Sequence, residues 1–367
     1  LTPQVSSFRR ERVIMDKIAI VSWFLTRRCN LRCMYCGIVR NYKGKPPEYP
    51  NMQYYSKYEM ATEYVIEGLR RFKKHNPDAF HIFYGGEPFL RDDLHLIIGF
   101  CNDENIHYTI ITNNDEKIQD KIERLILEVG RVDGITSSID PVFCYAKSEG
   151  GHRLEKSIQG FKKLIDLRSF INDVVAEITV DKFTLDFLYT LVRNLTDRQI
   201  NSDITFIDIA KSKYYDFSNV SDRAFLVPKT QRVLDTFNKI IEDDLDVHMA
   251  KVLLPKIYEI LPADLDCKIE KGIHNLTIDA DGSVRLCLRI RGTETPKTKL
   301  LDYLFWTGEL NPFLKMNLKI DKEKYCRKCN WTCMLMSEII SKDEEKVKDL
   351  VHIERREEDV KYTEHRS

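Results

Sequence analysis

The sequence has no surplus of charge of either sign: 57 Lys and Arg balance 57 Asp and Glu, for a formal net charge of zero over 367 residues. Tracking a phosphate backbone calls for a basic excess, so nucleic acid is not an expected partner. Long apolar runs are missing as well. None approaches the roughly 18 residues of a membrane span, and the opening LTPQVSSFRRER is too polar for a secretion signal. There is no low-complexity linker, no internal repeat beyond an alternation of strands and helices, and no i, i+4 pairing among the nine histidines. With 43% hydrophobic residues, the expectation is a cytoplasmic, core-forming chain with no membrane partner.

Cysteine is what the chain has in plenty, with ten residues. A disulfide framework is not expected in a long chain without a secretion signal, where thiols stay reduced. The cysteines also cluster. Cys29, Cys33 and Cys36 stand together as C-x3-C-x2-C, and Cys267, Cys287, Cys326, Cys329 and Cys333 lie toward the end, leaving Cys101 and Cys144 isolated. Three thiolates on one loop can hold three irons of a [4Fe–4S] cube and leave the fourth open to a small molecule. Zinc generally closes with four ligands, and no nearby residue supplies the fourth.

Hydrophobic periodicity sets these cysteines in a frame. Ile18–Leu25 is a short β-branched run that predicts a strand, and Tyr58–Lys74 places Ala61, Tyr64, Val65, Gly68, Leu69 and Phe72 on one helical face. Strands are predicted over Phe80–Tyr84, Tyr108–Ile111, Gly134–Ile139, Val174–Val180 and Ile204–Ile209. Between them run helices whose apolar faces include Leu94, Ile97, Ile98 and Cys101, then Ile118, Ile122, Leu125, Ile126 and Val129, then Leu154, Ile158, Phe161 and Ile165. About six strand–helix units in succession imply parallel strands with right-handed crossovers, in either an open doubly wound sheet or a barrel. Asp279-Ala280-Asp281-Gly282 between two short apolar runs predicts a hairpin. The organisation expected is an N-terminal extension (1–17), the strand–helix body (18–210), a helical connector (211–262), a small α+β cysteine-rich unit (263–334) and a charged helical tail (335–367).

Short motifs follow the first four predicted strands. After the first come Cys29, Cys33 and Cys36, with Tyr35 just before the third cysteine; after the second comes Gly85-Gly86-Glu87-Pro88; after the third, Thr112-Asn113-Asn114; at the end of the fourth, Ser138-Ile139-Asp140. In a parallel β/α barrel the strand ends converge on one face, so motifs at four successive ends meet around one ligand. Together they resemble the signature of the radical S-adenosylmethionine (SAM) enzymes. Asn114 stands where that family usually has a glycine, a mild departure because Asn tolerates positive φ. The resemblance implies a partial (β/α)6 TIM-type barrel in which Cys29, Cys33 and Cys36 hold a [4Fe–4S] cluster with an open iron for SAM. It implies that Gly85, Gly86, Glu87 and Pro88 form the segment at the SAM amino group, with Thr112, Asn113, Ser138 and Asp140 along its ribose and methionine. The implied chemistry is reductive cleavage of SAM to a 5′-deoxyadenosyl radical that abstracts a substrate hydrogen, with a flavodoxin or ferredoxin as reductase.

The later cysteines resemble the SPASM/twitch extension of the same family, which binds auxiliary clusters. Full SPASM domains use seven cysteines for two clusters; the five here suit one [4Fe–4S] cluster on Cys267, Cys287 and two of Cys326, Cys329 and Cys333, with zinc the alternative because C-x2-C is also a zinc knuckle. A fully ligated cluster would carry electrons, and an incompletely ligated one could bind substrate. Cys101 falls on an apolar helix face and reads as a buried structural thiol. Cys144, four residues beyond Asp140, is a candidate hydrogen-atom donor, and Asp140 a candidate proton acceptor. The substrate expected is a peptide or protein undergoing oxidation, crosslinking or epimerisation; the alternatives are a small-molecule (sugar or aminocyclitol) dehydrogenase or rearrangement enzyme, and a non-catalytic Fe–S scaffold.

Overall fold

Residues 20–31, 59–139, 153–180, 184–206, 231–247, 275–280, 282–285 and 298–299 are described by the computed structural model. In chain order they form β1 (Ile20–Thr26), α1 (Thr62–His75), β2 (Phe80–Gly85), α2 (Leu94–Asp103), β3 (Tyr108–Thr112), α3 (Glu116–Val129), β4 (Val132–Ile139), α4 (Arg153–Asp166), β5 (Ile171–Val180), α5 (Leu188–Thr196), β6 (Asn201–Phe206), α6 (Gln231–Glu242), β7 (Asn275–Ile278), β8 (Ser283–Arg285) and β9 (Thr298–Lys299). Short 3₁₀ turns at Pro88–Leu90 and Thr184–Asp186 follow β2 and β5. The expected helix from Gln231 is present as α6; connector residues 211–230 and 248–262, the charged tail and the cysteines beyond Cys101 lie outside the described residues.

The sheet order is β6-β5-β4-β3-β2-β1-β7-β8-β9, and every pair from β1 to β6 is parallel. A doubly wound sheet reverses its strand order at a switch point, whereas this one steps from β1 to β6 without reversal. That winding is consistent with the partial TIM-type barrel and answers a question that periodicity left open. The predicted hairpin forms as β7 and β8, turning through Gly282 at φ +80°. It also joins the main sheet: β7 lies parallel to β1, with Ile20 opposite Asn275 and Trp23 opposite Ile278.

Strand alternation divides the sheet into two unlike faces. One side carries Val21, Trp23, Leu25, Phe83, Tyr108, Ile110, Ile135 and Ile178, all buried, and Trp23 packs edge-on against Phe72 of α1 with ring centroids 5.9 Å apart. Also on this side, the Trp23 indole donates to His81 Nδ1 at 2.9 Å; burial holds that imidazole at a pKa of about 3, so it stays neutral. Helix faces match this layer with two shifts from the periodic reading. In α1 the buried set is Val65, Gly68, Leu69 and Phe72, while Tyr64 is half exposed. In α4 it is Ser157, Gly160, Phe161 and Leu164, rotated away from Ile158 and Ile165, because Gly160 packs directly on the Asn114 carbonyl. Helix α3 starts and stops by local chemistry: the Asp115 carboxylate caps Lys117 N–H at 3.3 Å, and Gly130 at φ +76° returns its N–H to Ile126 O at 2.8 Å.

At the start of the strands, the Asp133 carboxylate fastens three of them. It accepts from Tyr108 N–H at 2.9 Å and from the Asn172 amide at 3.1 Å, and His107 Nδ1 lies 3.3 Å away. Burial raises the Asp133 pKa, but the hydrogen bonds from His107, Tyr108 and Asn172 outweigh it and the net shift is downward. A carboxyl lowered in the folded state stabilises above its unfolded pKa of about 4, and that stabilisation is lost as pH falls through the folded value. Asp133→Ala is therefore expected to lower unfolding free energy by about 1–3 kcal/mol at neutral pH, with the deficit shrinking below about pH 4. Urea denaturation of both proteins across pH 7 to 3 checks this; a deficit that stays constant with pH would count against the carboxylate as the tie.

Candidate active site

β1 ends at Thr26, and the chain crosses the C-terminal face of the sheet through Arg27, Arg28, Cys29, Asn30 and Leu31. Thr26 Oγ1 accepts from Arg28 N–H at 3.0 Å and donates to Glu59. The Arg28 guanidinium grips the same Glu59 through both carboxylate oxygens, at 2.9 and 3.1 Å, and both side chains are largely buried. A two-pronged pair of this kind fixes orientation as well as charge. It fastens the chain just before Cys29 to the chain at Glu59, a neck between two stretches of described chain; Cys33, Tyr35 and Cys36 lie outside the described residues. Next to it Arg27 pairs with buried Asp279 at 2.7 Å, and Met60 N–H bonds Ala280 O at 2.7 Å, tying that neck to the β7–β8 hairpin.

Gly85 and Gly86 are required by close backbone approach. Gly85 has φ +140°, and a Cβ there would run into Thr26 O; a Cβ on Gly86 would overlap the Arg28 carbonyl. Instead, Gly86 N–H donates to Thr26 O and Glu87 N–H to Arg28 O, each at 2.7 Å. Pro88 then opens the 3₁₀ turn, where its missing N–H costs nothing. The Glu87 side chain is fully buried, and its carboxylate accepts from Phe89 N–H at 3.2 Å, Thr112 Oγ1 at 3.0 Å and Asn113 N–H at 2.8 Å. The carboxylate thus joins the end of β2 to the end of β3.

Thr112-Asn113-Asn114 continues the connection. Asn114 takes φ +47°, as its place in the motif requires, and its amide donates to Ser137 Oγ at 3.2 Å while Gln119 donates to its Oδ1 at 3.0 Å. Asn113 reaches the other way, with Nδ2 donating to Asn30 Oδ1 at 2.8 Å and lying 3.9 Å from Cys29 Sγ. Leu31 N–H also addresses that sulfur, at 3.4 Å. N–H groups directed at a sulfur suit a thiolate carrying negative charge, as a cluster ligand does, so Cys29 fits the expected iron site. Ser138 is half buried beside Glu177 in the β4–β5 register. Asp140, Cys144 and the later cysteines lie outside the described residues. Cys101 is buried on α2, and burial pushes its thiol pKa far up, as expected of a structural thiol.

The face of the sheet turned away from the helices is polar on its β3–β6 side. Thr109 and Thr136 hydroxyls meet at 2.9 Å, Thr205 donates to Glu177 at 2.9 Å, and Thr179 and Asp203 stand in the same rows. A closed TIM barrel fills its interior with branched apolar side chains. This face instead offers hydroxyls and carboxylates, a lining suited to a polar guest. Sequence reading missed Glu177 and Asp203, Arg28 with Glu59, and Gly160; of these only Gly160, a glycine inside a helix, left a local signal.

The model of the radical SAM superfamily matches residues 23–185. An uncharacterised protein of Methanocaldococcus jannaschii is 33% identical over 311 residues, covering 82% of this chain and 92% of that protein. Fe-coproporphyrin III synthase of Methanosarcina barkeri is 29% identical over 134 residues, 34% of this chain, so the match spans about a third of the synthase, 30% of its length. Among solved structures, SuiB of Streptococcus suis bound to precursor peptide SuiA superposes with a TM-score of 0.57 at 14% identity, over 88% of this chain and 71% of SuiB, a likeness of fold.

The crowding at Gly86 gives a paired test. Gly86→Ala drives a methyl into backbone that no rotamer change can clear, whereas a Cβ at Gly99, inside α2, meets nothing. Thermal or urea denaturation should show Gly86→Ala destabilised by about 1–3 kcal/mol and Gly99→Ala unchanged or stabilised by about 0.5–1 kcal/mol. Equal tolerance of the two would mean that the Gly86–Arg28 approach is not a constraint.

Proposed function

Because the chain belongs to the radical SAM superfamily of enzymes, we propose that it uses a [4Fe–4S] cluster on Cys29, Cys33 and Cys36 to modify a peptide or protein substrate. When bound, cluster and SAM supply a one-electron cleavage of the SAM C–S bond, giving methionine and a 5′-deoxyadenosyl radical that takes a substrate hydrogen, with the electron delivered by a flavodoxin or ferredoxin. The observation that carries the reading is the convergence on Cys29, where the ends of β1, β2 and β3 are joined through Glu87 and two N–H groups face the sulfur.

The chain's own part is to hold and shield. With the Glu87 carboxylate fixed by Thr112, Asn113 and Phe89, the Gly85-Gly86-Glu87-Pro88 segment would be held in place to meet the SAM amino group. Ser138 and Asp140 would lie along the ribose and methionine. The polar wall of Thr136, Glu177 and Thr205 would meet the substrate by hydrogen bonds, and a peptide, with a donor and an acceptor at nearly every residue, suits it. The fold likeness to a peptide-bound enzyme over most of the chain supports the same choice. A small-molecule reading is the alternative, favoured by the similarity to Fe-coproporphyrin III synthase.

A second [4Fe–4S] cluster, on Cys267, Cys287 and two of Cys326, Cys329 and Cys333, would form a SPASM/twitch-like electron relay. Support comes from the β7–β8 hairpin, which is fastened to β1 and to the Cys29 loop and precedes Cys287 by two residues in sequence.

Anaerobic reconstitution with iron and sulfide analysis, followed by SAM and dithionite, tests both parts. The expected result is about eight irons per chain, formation of 5′-deoxyadenosine, and loss of about half the iron and all turnover in Cys33→Ala. About four irons with turnover would remove the auxiliary cluster. Iron bound by the wild type and Cys33→Ala alike, with no 5′-deoxyadenosine formed, would overturn the assignment of the first cluster.

A further inference from the structure

We propose that Asn113 is a hydrogen-bond donor to the Cys29 thiolate and thereby sets the reduction potential of the cluster, a role distinct from touching SAM. This rests on the reading of Cys29 as a cluster ligand. The orientation of the Asn113 carboxamide is fixed from three sides. Its backbone N–H is held by Glu87 Oε2 at 2.8 Å, and its Oδ1 accepts from Asp115 N–H at 2.9 Å. An oxygen engaged by a backbone donor leaves the NH2 end only one direction, toward the Cys29 loop, so the amide assignment follows from the network. That NH2 carries two hydrogens. One goes to Asn30 Oδ1 at 2.8 Å, and the other faces Cys29 Sγ at 3.9 Å.

Asn30 is held in turn, donating to the Asp115 carboxylate at 3.3 Å. Asp115 is the N-cap of α3, so the residue following Cys29 is anchored at the positive end of a 14-residue helix. Asn113 cannot swing away without breaking bonds on both sides. Hydrogen bonds to cluster sulfurs stabilise the more negative, reduced state and raise the potential. In this role Glu87 is a positioning residue: its buried carboxylate sets where Asn113 stands, and its own N–H fixes the Arg28 carbonyl next to Cys29.

The test is a redox titration of the reconstituted full chain without SAM, followed by electron paramagnetic resonance on the signal that is absent from Cys33→Ala. Asn113→Ala should shift that signal to lower potential at unchanged iron content. Asn113→Asp keeps the shape but replaces the donor with a negative charge, and should shift it further in the same direction; it serves as the reading if the alanine protein folds poorly. Unchanged potentials in both variants would overturn the proposal, and unchanged potentials with weakened SAM binding would return Asn113 to the ligand contact that the motif resemblance implies. A wild-type protein with no Cys33-dependent signal would overturn the cluster reading and this inference together.

Discussion

A single carboxylate, that of Glu87, holds the C-terminal face together. A carboxyl group is expensive to bury unless hydrogen bonds replace its water, and Glu87 meets that demand with donors from its own turn and from the end of β3. Each donor belongs to a segment that has to be placed: Phe89 in the 3₁₀ turn, Thr112 at the strand end, Asn113 beneath the Cys29 loop. The backbone on either side of the carboxylate adds two bonds to Thr26 and Arg28. Three consecutive strands thus deliver their loops in one fixed arrangement, and the arrangement persists because undoing it would leave a buried carboxyl group without partners.

Much of this could be read from the chain alone. The strand–helix alternation, the hairpin at Asp279–Gly282 and the positive φ of Asn114 all follow from local pattern, and each is present. What could not be read is set by partners distant in sequence. Singly wound and doubly wound sheets differ only in which strands become neighbours, and hydrophobic period carries no information on that. The Arg28–Glu59 and Arg27–Asp279 pairs join residues 31 and 252 apart, with nothing in either neighbourhood to announce them. Tyr64 and Ile158 follow the apolar period yet are not in the buried set, because the helix faces turn to suit close contacts such as Gly160 on Asn114. Glu87 is the sharpest case: motif resemblance associates its segment with the ligand, and burial commits its side chain to the frame.

The two faces of the sheet divide the labour. Stability comes from the side under the helices, where Trp23, Phe72, Phe83 and Tyr108 interlock. Along β3–β6 the other side gives up apolar contact for hydroxyls and carboxylates, and so contributes less to folding there than the interior of a filled barrel. That trade is common at functional sites, where local rules for stability are broken and compensated elsewhere. The compensation here includes the ties at both ends of the strands, Asp133 at the start and Glu87 at the finish.

The place of β7 beside β1 has a consequence for how the chain is made. β1 leaves the ribosome well ahead of the strand covering its second edge, which begins about 250 residues later. At ~5–20 residues per second, that edge waits tens of seconds with its N–H and C=O groups unpaired and Val21, Trp23 and Leu25 beside them. An apolar strand with an open edge invites pairing with other chains. Completion of the sheet at β1 therefore trails the synthesis of β1 by a long interval, and the nascent protein has reason to engage chaperones until the hairpin arrives.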